Sequence, residues 1–283
     1  MSKTIDVAVA CGTNSESYAE FLIWSMSQTS DISKFRFLFG INHDDVDVDV
    51  LEKLCNEANV EVFDARSGLG YCSRSHGLTL DKIFERVTSE ISMVCDVDVA
   101  FIEPGWDALY MEKLDEGHVA VGPEYARTYH LRGGHHKHLG FPNLLATMIK
   151  TQLFKDKNVS FLPDSDITLD ETNAHLYGLD PGTILRRDTG WELSPKLRQD
   201  GDHGYAMKML SYGDAESQLL VGEQQLNGNE FHMNSIPILT HMGRSSIRKL
   251  GVHPAAVLWE TKVREWINAR RITHRLVNET VKR

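Results

Sequence analysis

Two carboxylates one residue apart, Asp96 and Asp98, close the apolar run Ile91-Ser92-Met93-Val94-Cys95, and a second run, Val99-Ala100-Phe101-Ile102, starts immediately behind them. Acids that end a buried strand so abruptly need a cation, because an uncompensated charge at the edge of a core is costly. An α/β sheet gathers its ligands outside the carboxyl ends of its strands. A hard divalent ion held there by oxygen ligands would be shared with substrate phosphates. The Asp-x-Asp string alone decides nothing, since Asp45-Val46-Asp47-Val48-Asp49 and Asp164-Ser165-Asp166 contain it too. The 45–49 run precedes a helical pattern, where acids favour the positive end of the helix dipole. Only Asp96 and Asp98 join a buried strand before them to an apolar continuation after them, and the competing role for that pair is to stabilise a turn.

The elements that must position this pair alternate. Ile5 to Cys11 reads as a strand, Gly12 to Ser15 as a turn and Tyr18 to Met26 as a helix; Phe35 to Ile41 follows as a strand, Val50 to Ala58 as a helix and Val60 to Phe63 as a third strand. A helix from Leu78 to Arg86 leads into the strand that ends at Asp96. This rhythm predicts an α/β fold with a mostly parallel sheet flanked by helices. Val119 to Pro123 is expected to be a strand, Leu144 to Phe154 and Trp191 to Gln199 helices, Ile236 to His241 a late strand, and the segment from Ala255 onward an amphipathic helix. The polar stretch Tyr125 to Gly140 has the composition of a substrate-covering loop. Its His130, His135, His136 and His138 are too irregularly spaced, beside Arg132 and Lys137, for a second metal site. The expected organisation is one domain over residues 1–250, with halves at 1–100 and 101–250, and a basic helical tail over 251–283.

Composition is that of an ordinary globular chain: 283 residues, 41% hydrophobic, 25% charged and a net charge of -10, which disfavours non-specific nucleic-acid binding by the whole surface. The segment after residue 254 is different, with seven Lys or Arg against three Glu, and it carries Trp259, Trp266, Arg264, Arg270, Arg271 and Arg275. Packing on the body is one role for it; docking to an anionic partner, a membrane surface or DNA, is the other. Cys11, Cys55, Cys72 and Cys95 form no Cys-x-x-Cys pair and imply no disulfide framework. No apolar run approaches the ~20 residues that cross a bilayer, and Asp6 interrupts the first apolar stretch, so a soluble cytoplasmic protein is expected.

Three pieces in order, Val9-Ala10-Cys11-Gly12-Thr13-Asn14, Ser73-Arg74-Ser75-His76-Gly77 and Val94-Cys95-Asp96-Val97-Asp98, give the chain a resemblance to GT-A fold glycosyltransferases, close in pattern to the large family 2 group. The resemblance is good over residues 5–125, looser to about residue 245 and absent from the tail. It implies transfer of a sugar from a nucleotide-sugar, a UDP-sugar above others, to a hydroxyl on a glycan, lipid, protein or modified DNA base. Thr13 and Asn14 would touch the nucleotide, Asn42 and Asp44 would approach base or ribose, and Arg74 would neutralise diphosphate. Turn chemistry for Thr13 and Asn14, a helix start for Asp44 and a solvated Arg74 are the plainer alternatives. Asp98 would ligate the metal directly, and Asp96 would reach it, a metal-bound water or the ribose.

The same resemblance implies a third ligand from a late histidine, and His241 ends the apolar run Pro237-Ile238-Leu239-Thr240. A neutral imidazole suits Mn²⁺ better than Mg²⁺, which prefers oxygen. Arg244, with Ser245 and Ser246, could close over the diphosphate. The position of the acceptor-activating base in inverting relatives falls on Gly190, a departure from the pattern, and neighbouring Asp188 is the candidate. A structural turn at Asp188, or a retaining mechanism without such a base, stays open. Thr189 and Glu192 fit a capping box for the helix that follows. A nucleotidyltransferase is disfavoured because Cys11 to Glu16 holds one glycine and no Lys or Arg; a non-catalytic sugar-binding protein of the same fold is the remaining rival.

Overall fold

The computed structural model describes residues 4–54, 58–69, 73–124, 141–163, 167–171, 174, 180–185, 188–190, 193–198, 201–211, 214–219, 228–243 and 248–281. The first four strands, β1 (Ile5–Cys11), β2 (Phe35–Ile41), β3 (Val60–Asp64) and β4 (Ile91–Cys95), form a parallel block in the order β3-β2-β1-β4. Helices α1 (Ser15–Thr29), α2 (Val48–Leu54) and α3 (Ser73–Phe84) connect them. β1 is covered on both faces, so Val7, Ala8, Val9 and Cys11 are fully buried, as a parallel strand requires. Its one acid, Asp6, is buried yet satisfied: Arg36 donates to both oxygens at 2.9 Å, and the amides of Thr88 and Ser89 donate at 2.7 and 3.0 Å. The chain runs outward from β1 to β3 and returns to β4 on the other side of β1. That reversal opens a crevice at the strands' carboxyl ends.

Beyond β4 the sheet becomes mixed. It continues through β5 (Val99–Phe101), β6 (Ala120–Pro123), β7 (Ala146–Lys150), β10 (Gly204–Ser211), β11 (Asn229–Met233) and β12 (Ile236–His241), giving the full order β3-β2-β1-β4-β7-β6-β10-β11-β12-β5. Short strands β8 (Ile167–Thr168) and β9 (Ile184–Leu185) pair separately. Helix α4 (Trp106–Asp115) follows β5, α5 (Thr151–Asp156) follows β7 and α6 (Leu193–Arg198) precedes β10.

The helix expected over Leu144 to Phe154 is instead β7 followed by α5. Ala146, Thr147, Met148 and Ile149 are all buried, antiparallel to β4 in the register Cys95↔Ala146 to Ile91↔Lys150. A short apolar run has no period that separates a core strand from a core helix. The 45–49 acids do start a helix: Asp47 Oδ1 accepts from the Val50 amide at 3.2 Å.

The tail is one long helix, α7 (Pro254–Val281). It packs on α1 through Trp259, whose ring meets Phe21 edge-on at 5.3 Å. Its basic residues also turn to the body. Arg264 lies 4.2 Å over the Trp24 ring and pairs with Glu260, Arg270 pairs with Glu103 at 3.2 Å, and Arg271 donates to Gln28. These contacts give the packing role a direct account; the side chain of Arg275 lies outside the described residues.

Candidate metal centre and its surroundings

The chain leaves the β4 ladder at Asp96, whose amide donates to Leu145 O at 2.7 Å. Val97 buries its side chain, and Asp98 immediately precedes β5. β5 pairs antiparallel with β12 so that Val99 faces His241, and the Met242 amide donates to Asp98 O at 3.0 Å. The two-residue turn is thus fastened to β7 on one side and to the end of β12 on the other. This fastening brings a residue from position 241 to one from position 98: His241 Nε2 lies 3.2 Å from Asp98 Oδ1. Trp259 Nε1 donates to Thr240 Oγ1 at 3.1 Å, so the tail helix buttresses β12 one residue before the histidine.

One ligand atom from each of Asp96, Asp98 and His241 lies within 4.8 Å of the others. Ligands of one divalent ion can be no farther apart than twice a metal–ligand bond, ~4 to 5 Å, so this donor set fits a single ion. Two carboxylates and an imidazole suit Mn²⁺.

The charges in this group are in conflict. Burial raises the Asp96 carboxyl from 3.8 to about 6; the charges of Asp98 and Asp188 push in the same direction, while His76 and His241 offset part of the rise. At His241 burial disfavours the imidazolium, but the charge and hydrogen bond of Asp98, with help from Asp96, outweigh it and raise the pKa. A divalent cation would relieve the carboxylate repulsion, which is the physical reason for gathering acids at one rim.

Asp188 is near enough for its charge to add to the rise at Asp96. Its Oδ1 accepts from Ser73 Oγ at 2.7 Å and from the Thr189 amide at 2.8 Å. Thr189, expected to cap the following helix, directs its hydroxyl across to α3 instead, donating to Ser73 O at 3.0 Å and meeting His76 Nδ1 at 3.3 Å. Gly190, at φ 71°, takes a conformation that favours glycine. A Cβ there would lie 2.2 Å from Leu144 Cδ1, so the departure from the family pattern has a local steric cause.

The residues expected to meet the nucleotide make contacts of their own. Thr13 Oγ1 donates to Asp45 Oδ1 at 3.2 Å, and Asn14 adopts left-handed backbone, φ 61°, just before α1. Asn42 Oδ1 accepts from both Ser75 Oγ and Thr79 Oγ1 at 2.8 Å, so it ties the end of β2 to α3. Asp44 is exposed and pairs with Arg66 at 3.1 Å. Arg74 Nη1 donates to Pro163 O at 3.0 Å. Arg244 to Ser246, Tyr125, Tyr129, Trp191, Glu192 and the four histidines of 130–138 lie outside the described residues.

Sequence reasoning passed over His76. It stands inside the motif Ser73 to Gly77, which forms the first turn of α3 rather than leading into it. Its Nε2 lies 3.9 Å from Asp96 Oδ1. The signal available was position: one turn of helix places Ser73 and His76 on the same face.

No protein-family model and no curated protein sequence matches this chain. Solved structures do. A mannosyltransferase from Pyrobaculum calidifontis, described in complex with GDP-Man and Mn²⁺, superimposes with a TM-score of 0.51 at 11% identity, over 73% of this chain and 55% of that one. S. aureus TarS 1-349 in complex with UDP-GlcNAc gives 0.43 at 16% identity, over 65% and 55%. The chain therefore spans about half the length of these structures. The superposition on the mannosyltransferase shows a shared fold, and the fold of this chain is GT-A.

Proposed function

We propose that this chain is a metal-dependent glycosyltransferase that moves a sugar from a nucleoside-diphosphate sugar, a UDP-sugar, to an acceptor hydroxyl. The observation that carries the reading is the convergence of Asp96, Asp98 and His241 within 4.8 Å at the carboxyl end of β4. Mn²⁺ held by those three residues would stabilise negative charge on the departing diphosphate. Asp98, buried and fastened through its own carbonyl to β12, is the rigid ligand. Asp188 has an oxygen already oriented by two donors, as a group that must take a proton from an acceptor hydroxyl should have. Arg74 lies on the same first turn of α3 as Ser73 and His76, where its guanidinium can turn from the Pro163 carbonyl to a phosphate. Thr13, Asn14, Asn42 and Asp44 would meet the nucleoside, and Arg244 would pair with the diphosphate.

The test is a thermal-shift comparison of UDP, GDP, CDP and TDP with and without Mn²⁺, because a ligand bound only by the folded state raises its melting temperature. UDP should shift the transition only with Mn²⁺, and Asp98→Asn should abolish the shift. GDP is the competitor to watch, since the mannosyltransferase of similar fold was described with GDP-Man. A metal-independent shift, or one that survives in D98N, refutes the proposal.

A further inference from the structure

We propose that His76 is a positioning residue that registers the acceptor-side acid Asp188 against the metal-side acid Asp96, a role that rests on the glycosyltransferase reading above. The Thr189 hydroxyl has one proton, and it goes to Ser73 O at 3.0 Å, an oxygen that can only accept. The second contact of that hydroxyl, 3.3 Å to His76 Nδ1, must therefore draw its proton from the ring. A neutral His76 is then the Nδ1–H tautomer, with its Nε2 lone pair turned to Asp96 Oδ1 at 3.9 Å. Two acceptors at that distance make no direct bond. A polar hydrogen placed between them, from a water or a donor hydroxyl, would satisfy both.

The same turn of α3 holds Asp188 itself, through Ser73 Oγ at 2.7 Å, while the Thr189 amide donates to the same carboxylate oxygen at 2.8 Å. Ser73 and His76 therefore grip Asp188 and Thr189 across sequence separations of 115 and 113 residues. His76 is the member of this group that reaches both sides: one ring nitrogen meets the acceptor-side segment and the other faces the metal-side acid. Without it, residues 188–190 keep their bonds to Ser73 but lose their registration on the Asp96 side. Because an error of about 1 Å at a reacting group can cost ~100-fold in rate, this link should be visible in turnover rather than in donor affinity.

The experiment uses the full chain and has two readouts. Long-range proton–nitrogen correlation spectra of protein labelled at histidine nitrogens, recorded at mildly alkaline pH, give the tautomer of each ring, and His76→Asn identifies the His76 signals. Wild type should show Nδ1–H at His76, and Thr189→Val should convert it to Nε2–H, the form a free imidazole prefers. An Nε2–H ring in wild type, or no change in T189V, overturns the inference. The second readout is Mn²⁺-dependent hydrolysis of a UDP-sugar by water, which needs no identified acceptor. His76→Ala and T189V should lower kcat roughly 10- to 100-fold with donor KM within about twofold of wild type. H76N, whose amide N–H can stand where Nδ1–H stood but which reaches nothing on the Asp96 side, and His76→Gln, which reaches only that side, should each recover no more than part of the rate. Full recovery in H76N or H76Q, or a loss confined to KM, overturns the positioning role. A locked tautomer in a wild-type protein that turns over no nucleotide-sugar overturns the functional reading and the role with it; a missing lock with turnover intact overturns the role alone.

Discussion

Replacing Asp96 by Asn removes a charge that the folded chain holds unfavourably, so D96N should stabilise the metal-free protein while destroying its site. The Asp96 carboxyl rises from 3.8 to about 6 on folding, through burial first and then through the charges of Asp98 and Asp188. A tenfold change in proton affinity corresponds to about 1.4 kcal/mol, which sets an upper bound of about 3 kcal/mol on the cost of ionised Asp96. The side chain is 32% exposed, and solvent screening reduces this to about 1–2 kcal/mol. The attraction of His76 and His241 is already included, because both lower the same pKa. The sign follows from linkage: a carboxyl whose pKa is raised by folding costs nothing while it is protonated in both states, and wild type loses stability as pH rises through about 6. Asn does not titrate, so the gain in D96N should be absent near pH 4 and complete by about pH 8. Urea unfolding of both proteins at the two pH values, with a chelator present, measures it. D96N as stable as wild type, or less stable, at the higher pH, or a gain of equal size at both pH values, would refute the reasoning. Added Mn²⁺ should invert the order, stabilising wild type and leaving D96N unmoved.

Three further outcomes are expected. Mn²⁺ requires a neutral His241 and ionised carboxylates, and both His241 and Asp96 have raised pKa values; titration calorimetry should show affinity climbing about tenfold per pH unit for each proton released, with one proton fewer in His241→Ala. Glu230 is fully buried and accepts from Ser217 Oγ, the Leu219 and Gln218 amides and the adjacent His232 ring, so Glu230→Gln, which turns an N–H₂ toward donors, should cost about 2–4 kcal/mol by urea denaturation. Gly77→Ala would place a Cβ 2.5 Å from Phe161 O and 2.8 Å from Leu162 Cα, backbone atoms with no flexible end to yield; a loss of about 1–3 kcal/mol, with weaker Mn²⁺-dependent nucleotide binding as α3 shifts, is expected from paired unfolding and thermal-shift curves.

What could be read from the sequence follows the range over which each signal acts. The parallel block β1 to β4 was legible because β1, β2 and β4 are apolar runs broken by at most one polar residue, β3 is a short alternating one and each connection is a helix with its own period, so the fold class and the place of Asp96 and Asp98 follow from neighbours in the chain. The strand that His241 ends was legible for a similar reason, while the candidacy of His241 as a ligand came with the family resemblance. β7 was not legible, because burial on both faces removes the alternation that would betray a strand, and its four buried residues fit a helix equally well. His76 was harder still. Its position in the motif is visible, but its partners Thr189 and Asp96 belong to segments that only the closed fold brings together.

The same distinction separates what holds the site from what would operate it. The candidate ligands Asp98 and His241 are fixed by a strand pairing, Val99 against His241. Asp188 is fixed by side-chain bonds from Ser73 and by the fold of residues 188–190, whose left-handed Gly190 anchors its amide to Phe161 O at 2.7 Å. Backbone ladders tolerate change in side chains, and side-chain contacts do not. Variants at Ser73, His76 and Thr189 should therefore alter turnover while the Asp96, Asp98 and His241 triad still takes up its ion.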